Sequence, residues 1–198
     1  GGQVTYALEG SVFNAGSSIQ WLRDEVGLIS TAHECDVLAE TVPDTGGGYM
    51  VSAFTGLGAP WWDSRAKAAL VGMTRTTGKN EIVRAALDCI AFQITDIVRA
   101  MEKSAGTPIG ELRVDGGPTR NNYLMQFQSD MLGIPVRIPE AEELSGIGAA
   151  YAAGISAGLY DESVMEKLGR KSFTPKTEEK VREERYARWL DAVKMVRT

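Results

Sequence analysis

A stripe of apolar residues between Lys79 and Lys103 is the most regular pattern in the chain. Ile82, Ala86, Cys89, Ile90, Ile94, Ile97 and Met101 recur at steps of three and four, and Val83, Leu87 and Val98 widen the face. Arg84, Asp88, Thr95, Arg99 and Glu102 fall mostly on the other side, so the spacing predicts a long amphipathic helix with a broad buried face. Gly106 and Pro108 supply its stop.

Shorter alternations follow. Glu111–Asp115 reads as a strand, Gly116-Gly117-Pro118 as a tight turn, 121–132 as a helix closed by Gly133, and Pro135–Ile138 as a second strand. Ser145–Ala157 reads as a small-residue helix closed by Gly158, suited to lie close to a sheet. Upstream, Val4–Leu8 reads as a strand, and Ser17–Glu25 as a helix with Ile19, Leu22 and Val26 inward, closed by Gly27. Gly46-Gly47-Gly48 is a turn before a strand at Tyr49–Ala53, and Ala69–Met73 is another strand. Strands and helices joined by short loops predict an α/β domain with largely parallel strands. From Asp161 to Thr198 the character changes, with 18 of 38 residues charged. Tyr186, Trp189, Leu190, Val193 and Val196 still make one apolar stripe, so 161–198 reads as a charged helical extension packed on the body.

Composition narrows the function classes. With 198 residues the chain is one to one and a half domains at ~150 residues each. A formal net charge of -5 argues against nucleic acid, which demands a basic footprint. No apolar run approaches the ~18 residues of a membrane span, and GGQVTYALEG has neither the basic nor the apolar part of a leader. Two cysteines, Cys35 and Cys89, and one histidine, His33, give no disulfide framework or zinc spacing. A reducing, cytoplasmic setting is expected.

Several motifs fail on their chemistry. Gly72–Asn80 has five residues between its glycines where a P-loop has four, and Asn80 stands where a magnesium-binding hydroxyl is needed. Gly146-Ile147-Gly148 has Tyr151 where a dinucleotide fingerprint needs its third glycine. His33 reads as a helix-start or surface residue, and Trp61-Trp62-Asp63 as a loop anchored by large aromatics. Glu9, Asp63 and Asp115 are carboxylates beside turns and are given structural roles, so no catalytic acid, base or metal ligand is assigned.

The turn Asp115–Asn121 is more informative. It joins the carboxyl end of a strand to a helix, where ligands of open α/β sheets bind. Adjacent glycines let a ligand approach the backbone, and free amides at the helix start would favour phosphate or another acceptor. Asn121, read as lying one turn inside the helix, offers an amide that both donates and accepts. A plain tight turn without ligand remains the alternative.

Spread along the chain are segments that together resemble the carboxy-terminal part of the FGGY carbohydrate kinase family. They are Tyr6–Phe13, Ala15–Asp24, Phe54–Asp63, Gly72–Arg75 with Ile82–Phe92, and Val114–Gly117 with Asn121-Asn122 and Phe127–Asp130. The loop Phe54-Thr-Gly-Leu-Gly-Ala-Pro60 resembles the glycerol kinases of that family more than its xylulose kinases. The resemblance implies an actin-like ATPase fold, here one RNase H-like C-terminal lobe with a mixed sheet flanked by helices. It places Gly16, Gln20, Gly117 and Asn121 on the family's adenine-nucleotide contacts. It implies ATP-dependent phosphorylation of glycerol, giving glycerol 3-phosphate and ADP. A preceding lobe, and the Gly-Thr-Gly loop that meets the phosphates, would lie outside this chain. That lobe would supply glycerol and Mg2+ binding, so these residues alone are expected to be inactive, and a homo-oligomer is expected of the whole protein. Another FGGY kinase acting on a pentulose, or a noncatalytic actin-like nucleotide-binding module, are the alternatives.

Overall fold

The computed structural model describes residues 4, 9–141, 144–167 and 169–198, without the side chains of 165–167. The strand expected at Val4–Leu8 lies outside the described residues, apart from Val4 itself.

Among the described residues the elements run in order: α1 (Gly16–Asp24), α2 (Glu34–Glu40), β1 (Tyr49–Val51), β2 (Ala69–Val71), α3 (Lys79–Ala105), β3 (Leu112–Arg113), a 3-10 turn (Gly117–Arg120), α4 (Asn122–Leu132), β4 (Val136–Pro139), α5 (Leu144–Ser156), a second 3-10 turn (Glu162–Lys167), β5 (Arg170–Phe173) and α6 (Glu179–Val196). β1 and β2 pair antiparallel with Met50 opposite Leu70. The second sheet has the order β3-β4-β5: β3 and β4 are parallel with Leu112 opposite Val136, and β5 is antiparallel to β4 with Phe173 opposite Val136. The sheet is therefore mixed rather than largely parallel.

The long helix α3 is the organising element: most of the stripe read from the sequence is buried, but Asp88 and Thr95, expected on the other side, are buried as well, because neighbouring elements cover that side too. Val83, Ala86, Leu87, Cys89, Ile90 and Phe92 are all buried, and α3 packs against α2, α4 and β1. Glu81 Oε2 accepts the Gly78 amide at 2.9 Å at its start. At its end Gly106 takes the left-handed φ of 65° that a side chain resists, and its amide closes onto Glu102.

The C-terminal tail is more than an extension. Its stretch Arg170–Phe173 supplies the edge strand β5, and Trp189 of α6 is fully buried, stacked on Phe92 of α3 with ring centroids 5.3 Å apart. One carboxylate fastens this packing. Asp96 of α3 accepts the Tyr186 hydroxyl at 2.6 Å, the Trp189 indole N–H at 2.9 Å and the Trp61 indole N–H at 3.0 Å. Trp61 thus anchors its loop, whereas Trp62 is exposed. Asp63 of that loop accepts the Thr198 amide at 2.9 Å and those of Arg65 and Ala66, which holds its carboxyl below the usual range.

Two expectations need correction. Val26 is exposed, because α1 ends at Asp24 and the left-handed Gly27 turns the chain off the helix face; Leu22 is buried as expected, and Ser18 is buried beside it. The small-residue helix α5 buries only Gly154, whose space is limited by the Tyr160 ring. It packs on the second 3-10 turn, while α4 is the helix against β4 and β5.

Candidate functional site

Between α1, α2, α3 and the turn that precedes α4 lies a cleft of about 640 Å³, inside the ~300–1,000 Å³ range of small-molecule sites. Its floor is apolar: Ile19, Leu87, Ile90 and Leu124 come from three helices, with Pro118 and Ala32 at the sides. Polar groups at the wall are Gln20, Arg23, His33, Asp36, Arg120 and Asn121. A flat apolar body with hydrogen-bonding edges suits such a lining.

All four residues singled out from the sequence line this one cleft, although Gln20 and Gly117 are 97 positions apart. Gly16 opens α1, and Gln20 is exposed one turn later. A Cβ built at Gly16 or at Gly117 would meet no heavy atom within 4 Å. Packing within the chain therefore does not demand glycine at either position. The strained backbone belongs to the neighbour Gly116, at φ 100°.

Asn121 differs from its expected placement. It is the N-cap of α4, not a residue one turn inside it, and its Oδ1 accepts the Leu124 amide at 2.7 Å. The side-chain Nδ2 remains as the donor toward the cleft. The expectation of free amides at the start of α4 is also overturned. The Asp36 carboxylate on α2 accepts the Tyr123 amide at 2.8 Å and the Asn122 amide at 3.4 Å, and the Met125 amide bonds the Asn121 carbonyl at 3.1 Å. With these groups taken and a carboxylate already at the positive helix end, this turn is poorly disposed to a phosphate and better to an uncharged polar edge.

The sequence reading missed α2 and with it a wall of the cleft. Cys35, Leu38 and Ala39 have the three- and four-residue spacing of a helix, and Glu34 Oε2 accepts the Ser30 amide at 2.5 Å ahead of it, which together form the available signal. His33 stands at the N-cap position of α2 without a side-chain capping bond, and it lines the cleft. Cys35 is buried, and burial followed by the neighbouring Glu34 and Asp36 pushes its thiol up to about 11. It is a protonated wall residue rather than a nucleophile. Arg23 pairs with Asp24 at 2.6 Å. Among the described residues no group of three or more His, Cys, Asp or Glu is placed to hold a metal ion. No helix of the described residues is long and apolar enough to cross a membrane.

A family model described as the FGGY family of carbohydrate kinases, C-terminal domain, matches residues 1–157. A glycerol kinase of Dechloromonas aromatica (strain RCB) is 52% identical over 195 residues, covering 97% of this chain and 39% of that protein. One of Klebsiella pneumoniae subsp. pneumoniae is 50% identical over 196 residues, covering 98% and 39%. The structure of Plasmodium falciparum glycerol kinase with ADP matches with a TM-score of 0.86 at 34% identity, over 92% of this chain and 37% of that one. A xylulose kinase from Rhodospirillum rubrum, at 24% identity and a TM-score of 0.73 over 91% of this chain and 38% of its own, shares the fold alone. The chain spans about two fifths of the length of these curated relatives. Its architecture is the actin-like ATPase lobe of these kinases. The chain belongs to the FGGY family of carbohydrate kinases, as a C-terminal domain of that family.

Proposed function

We propose that this chain forms the nucleotide-binding side of an ATP-dependent glycerol kinase, which transfers the γ-phosphate of ATP to glycerol and yields glycerol 3-phosphate and ADP. The observation that carries the reading is the convergence of Gly16, Gln20, Gly117 and Asn121 on one cleft with an apolar floor. The relatives' names, and the ADP of the Plasmodium falciparum enzyme, support the substrate and the nucleotide.

In this reading the adenine lies over Leu87, Ile90 and Leu124, and Asn121 Nδ2 and Gln20 bond its edge or the ribose. Bare backbone at Gly117 lets the nucleoside approach. The phosphates run toward Gly16, because α1 has no side-chain cap on its first amides whereas those of α4 are taken. Phosphoryl transfer depends on positioning and charge stabilisation, so fixing the nucleotide is this chain's share of the work. Glycerol and Mg2+ would be held by residues outside these 198. The whole enzyme would be a cytoplasmic homo-oligomer, and this chain alone would show no turnover with ATP, Mg2+ and glycerol.

The test is calorimetric titration of ADP into the chain, with Asn121→Asp and Gln20→Ala beside it. Asn121→Asp keeps the capping oxygen and loses the donor. It should melt with the parent chain and bind ADP about tenfold more weakly, as should Gln20→Ala (one lost hydrogen bond at roughly 1.4 kcal/mol per tenfold). Equal affinities for all three proteins would contradict the site. In the full-length protein, preference for xylulose over glycerol would point to the pentulose branch, and nucleotide binding without transfer to a noncatalytic module.

A further inference from the structure

A different face of α3 borders a second cavity, of about 140 Å³, closed by β1, α4 and α6. Three arginines line it: Arg84 of α3, and Arg185 and Arg188 of α6. Arg84 donates from Nη1 to the carbonyls of Ala39, at 2.9 Å, and Val42, and its guanidinium lies 4.8 Å from the centre of the Tyr123 ring. Its Nε is buried and has no hydrogen-bond partner among the described residues. Arg185 lies 6.0 Å from the Phe127 ring centre. Among the described residues neither Arg185 nor Arg188 has a carboxylate within ion-pair distance, although Arg23, Arg99, Arg113, Arg137 and Arg182 do.

Two carboxylates border the same space, and both are engaged. Asp44 Oδ1 accepts the Gly46 amide at 2.7 Å, and Asp88 accepts the Tyr123 hydroxyl at 2.5 Å. Three cations against two committed carboxylates leave an excess of positive charge around a buried donor. The volume is well below the ~300 Å³ at which small-molecule sites begin, and several times the ~30 Å³ share of one water. It has room for a tetrahedral oxyanion, and forked guanidinium donors match oxyanion geometry.

We propose that this cavity is an oxyanion site, taking inorganic phosphate or the phosphate end of a phosphomonoester between Arg84, Arg185 and Arg188. The groups facing it are those three arginines, Asp44, Asp88, Tyr49 and the Tyr123 hydroxyl behind Asp88. Burial pushes the Asp88 carboxyl up to about 7, so its negative charge fades below neutral pH. The site binds anions more tightly in mild acid for that reason.

The experiment is titration of inorganic phosphate, sulfate and glycerol 3-phosphate into the chain at fixed ionic strength, with ADP present to occupy the larger cleft. One saturable anion per chain is expected, about tenfold weaker in Arg188→Ala and about a hundredfold weaker in Arg185→Ala/Arg188→Ala. Sulfate, whose charge is constant over the range, should bind more tightly at pH 6 than at pH 8. Binding of glycerol 3-phosphate alongside phosphate identifies a metabolite's phosphate as the ligand, and binding of the inorganic ions alone identifies the free ion; either supports the site. Arg188 is exposed, so Arg188→Ala should fold and keep its ADP affinity. Failure of phosphate and sulfate to saturate, or equal affinity in the double variant, overturns the proposal. Should ADP not bind at all, the arginine variants still read this site alone.

Discussion

The Asp36 carboxylate accepts the Tyr123 amide at 2.8 Å across 87 positions of sequence, and this bond joins α2 to the first turn of α4. Residues of both helices line the cleft, so this contact fixes the two against each other beside Asn121. A carboxylate at a helix start also faces the positive end of the peptide dipoles. Asp36→Ala should therefore cost roughly 1–3 kcal/mol in urea unfolding, and Asp36→Asn, which keeps an acceptor, less. An Asp36→Ala protein as stable as the parent would show that the bond does not hold the helices.

Gly117 separates ligand from fold. None of the described residues crowds its missing Cβ, and its φ is not left-handed, so Gly117→Ala should leave stability unchanged or raise it by up to ~1 kcal/mol. If the nucleoside rests on this backbone, the same methyl should weaken ADP binding about tenfold. Melting temperature and ADP affinity, measured together, distinguish the outcomes; a methyl that changes neither would mean that nothing approaches here.

Asp88 gives stability a definite pH dependence. Its folded carboxyl is raised to about 7, mainly by burial, against about 4 in the unfolded chain. Between these values the folded state holds a proton that the unfolded state has lost, so this group's contribution falls as pH rises from 4 to 7 and levels off above. Asp88→Asn mimics the protonated form and keeps an oxygen for the Tyr123 hydroxyl. It should stabilise the protein by roughly 1 kcal/mol or more at pH 8 and by little at pH 4, read from denaturation curves at both. A gain confined to low pH would reverse the sign of this account.

Asp96 carries three donors from two other parts of the chain, the Trp61 loop and α6. Its carboxyl is raised by burial and lowered in turn by those three bonds. Asp96→Ala would strand two indole N–H groups and a phenol, at a cost of roughly 1–3 kcal/mol for each group left buried. Asp96→Asn, with one acceptor oxygen, should lie between Asp96→Ala and the parent. Similar melting of all three would show that α6 is held by its apolar face alone.

Much of the fold could be read from the chain because its period and punctuation agree. The stripe from Ile82 to Met101 is mostly buried, although Asp88 and Thr95 opposite it are buried too, and Gly106, Gly133 and Gly158 all adopt the left-handed turn expected of stops. β5 escaped notice because Arg170, Lys171 and Ser172 are exposed on an edge strand, where charge is tolerated and apolar alternation is absent. α2 escaped because seven residues give too few turns for a period to stand out. Gly16, Gln20, Gly117 and Asn121 could be picked from the chain and line one cleft, but Asn121's role as a cap depends on where the helix begins. The partner of its neighbouring amides, Asp36, comes from a segment that sequence spacing does not connect to α4.

The central claim, that a nucleotide occupies the cleft between α1, α2 and the turn before α4, is tested most directly by hydrogen exchange of the chain with and without ADP. Slowed exchange is expected at 16–20 and 117–124, with β1, β2 and α6 unchanged. ADP-dependent protection confined to β1, β2 or α6, or none anywhere at saturating ADP, would contradict it.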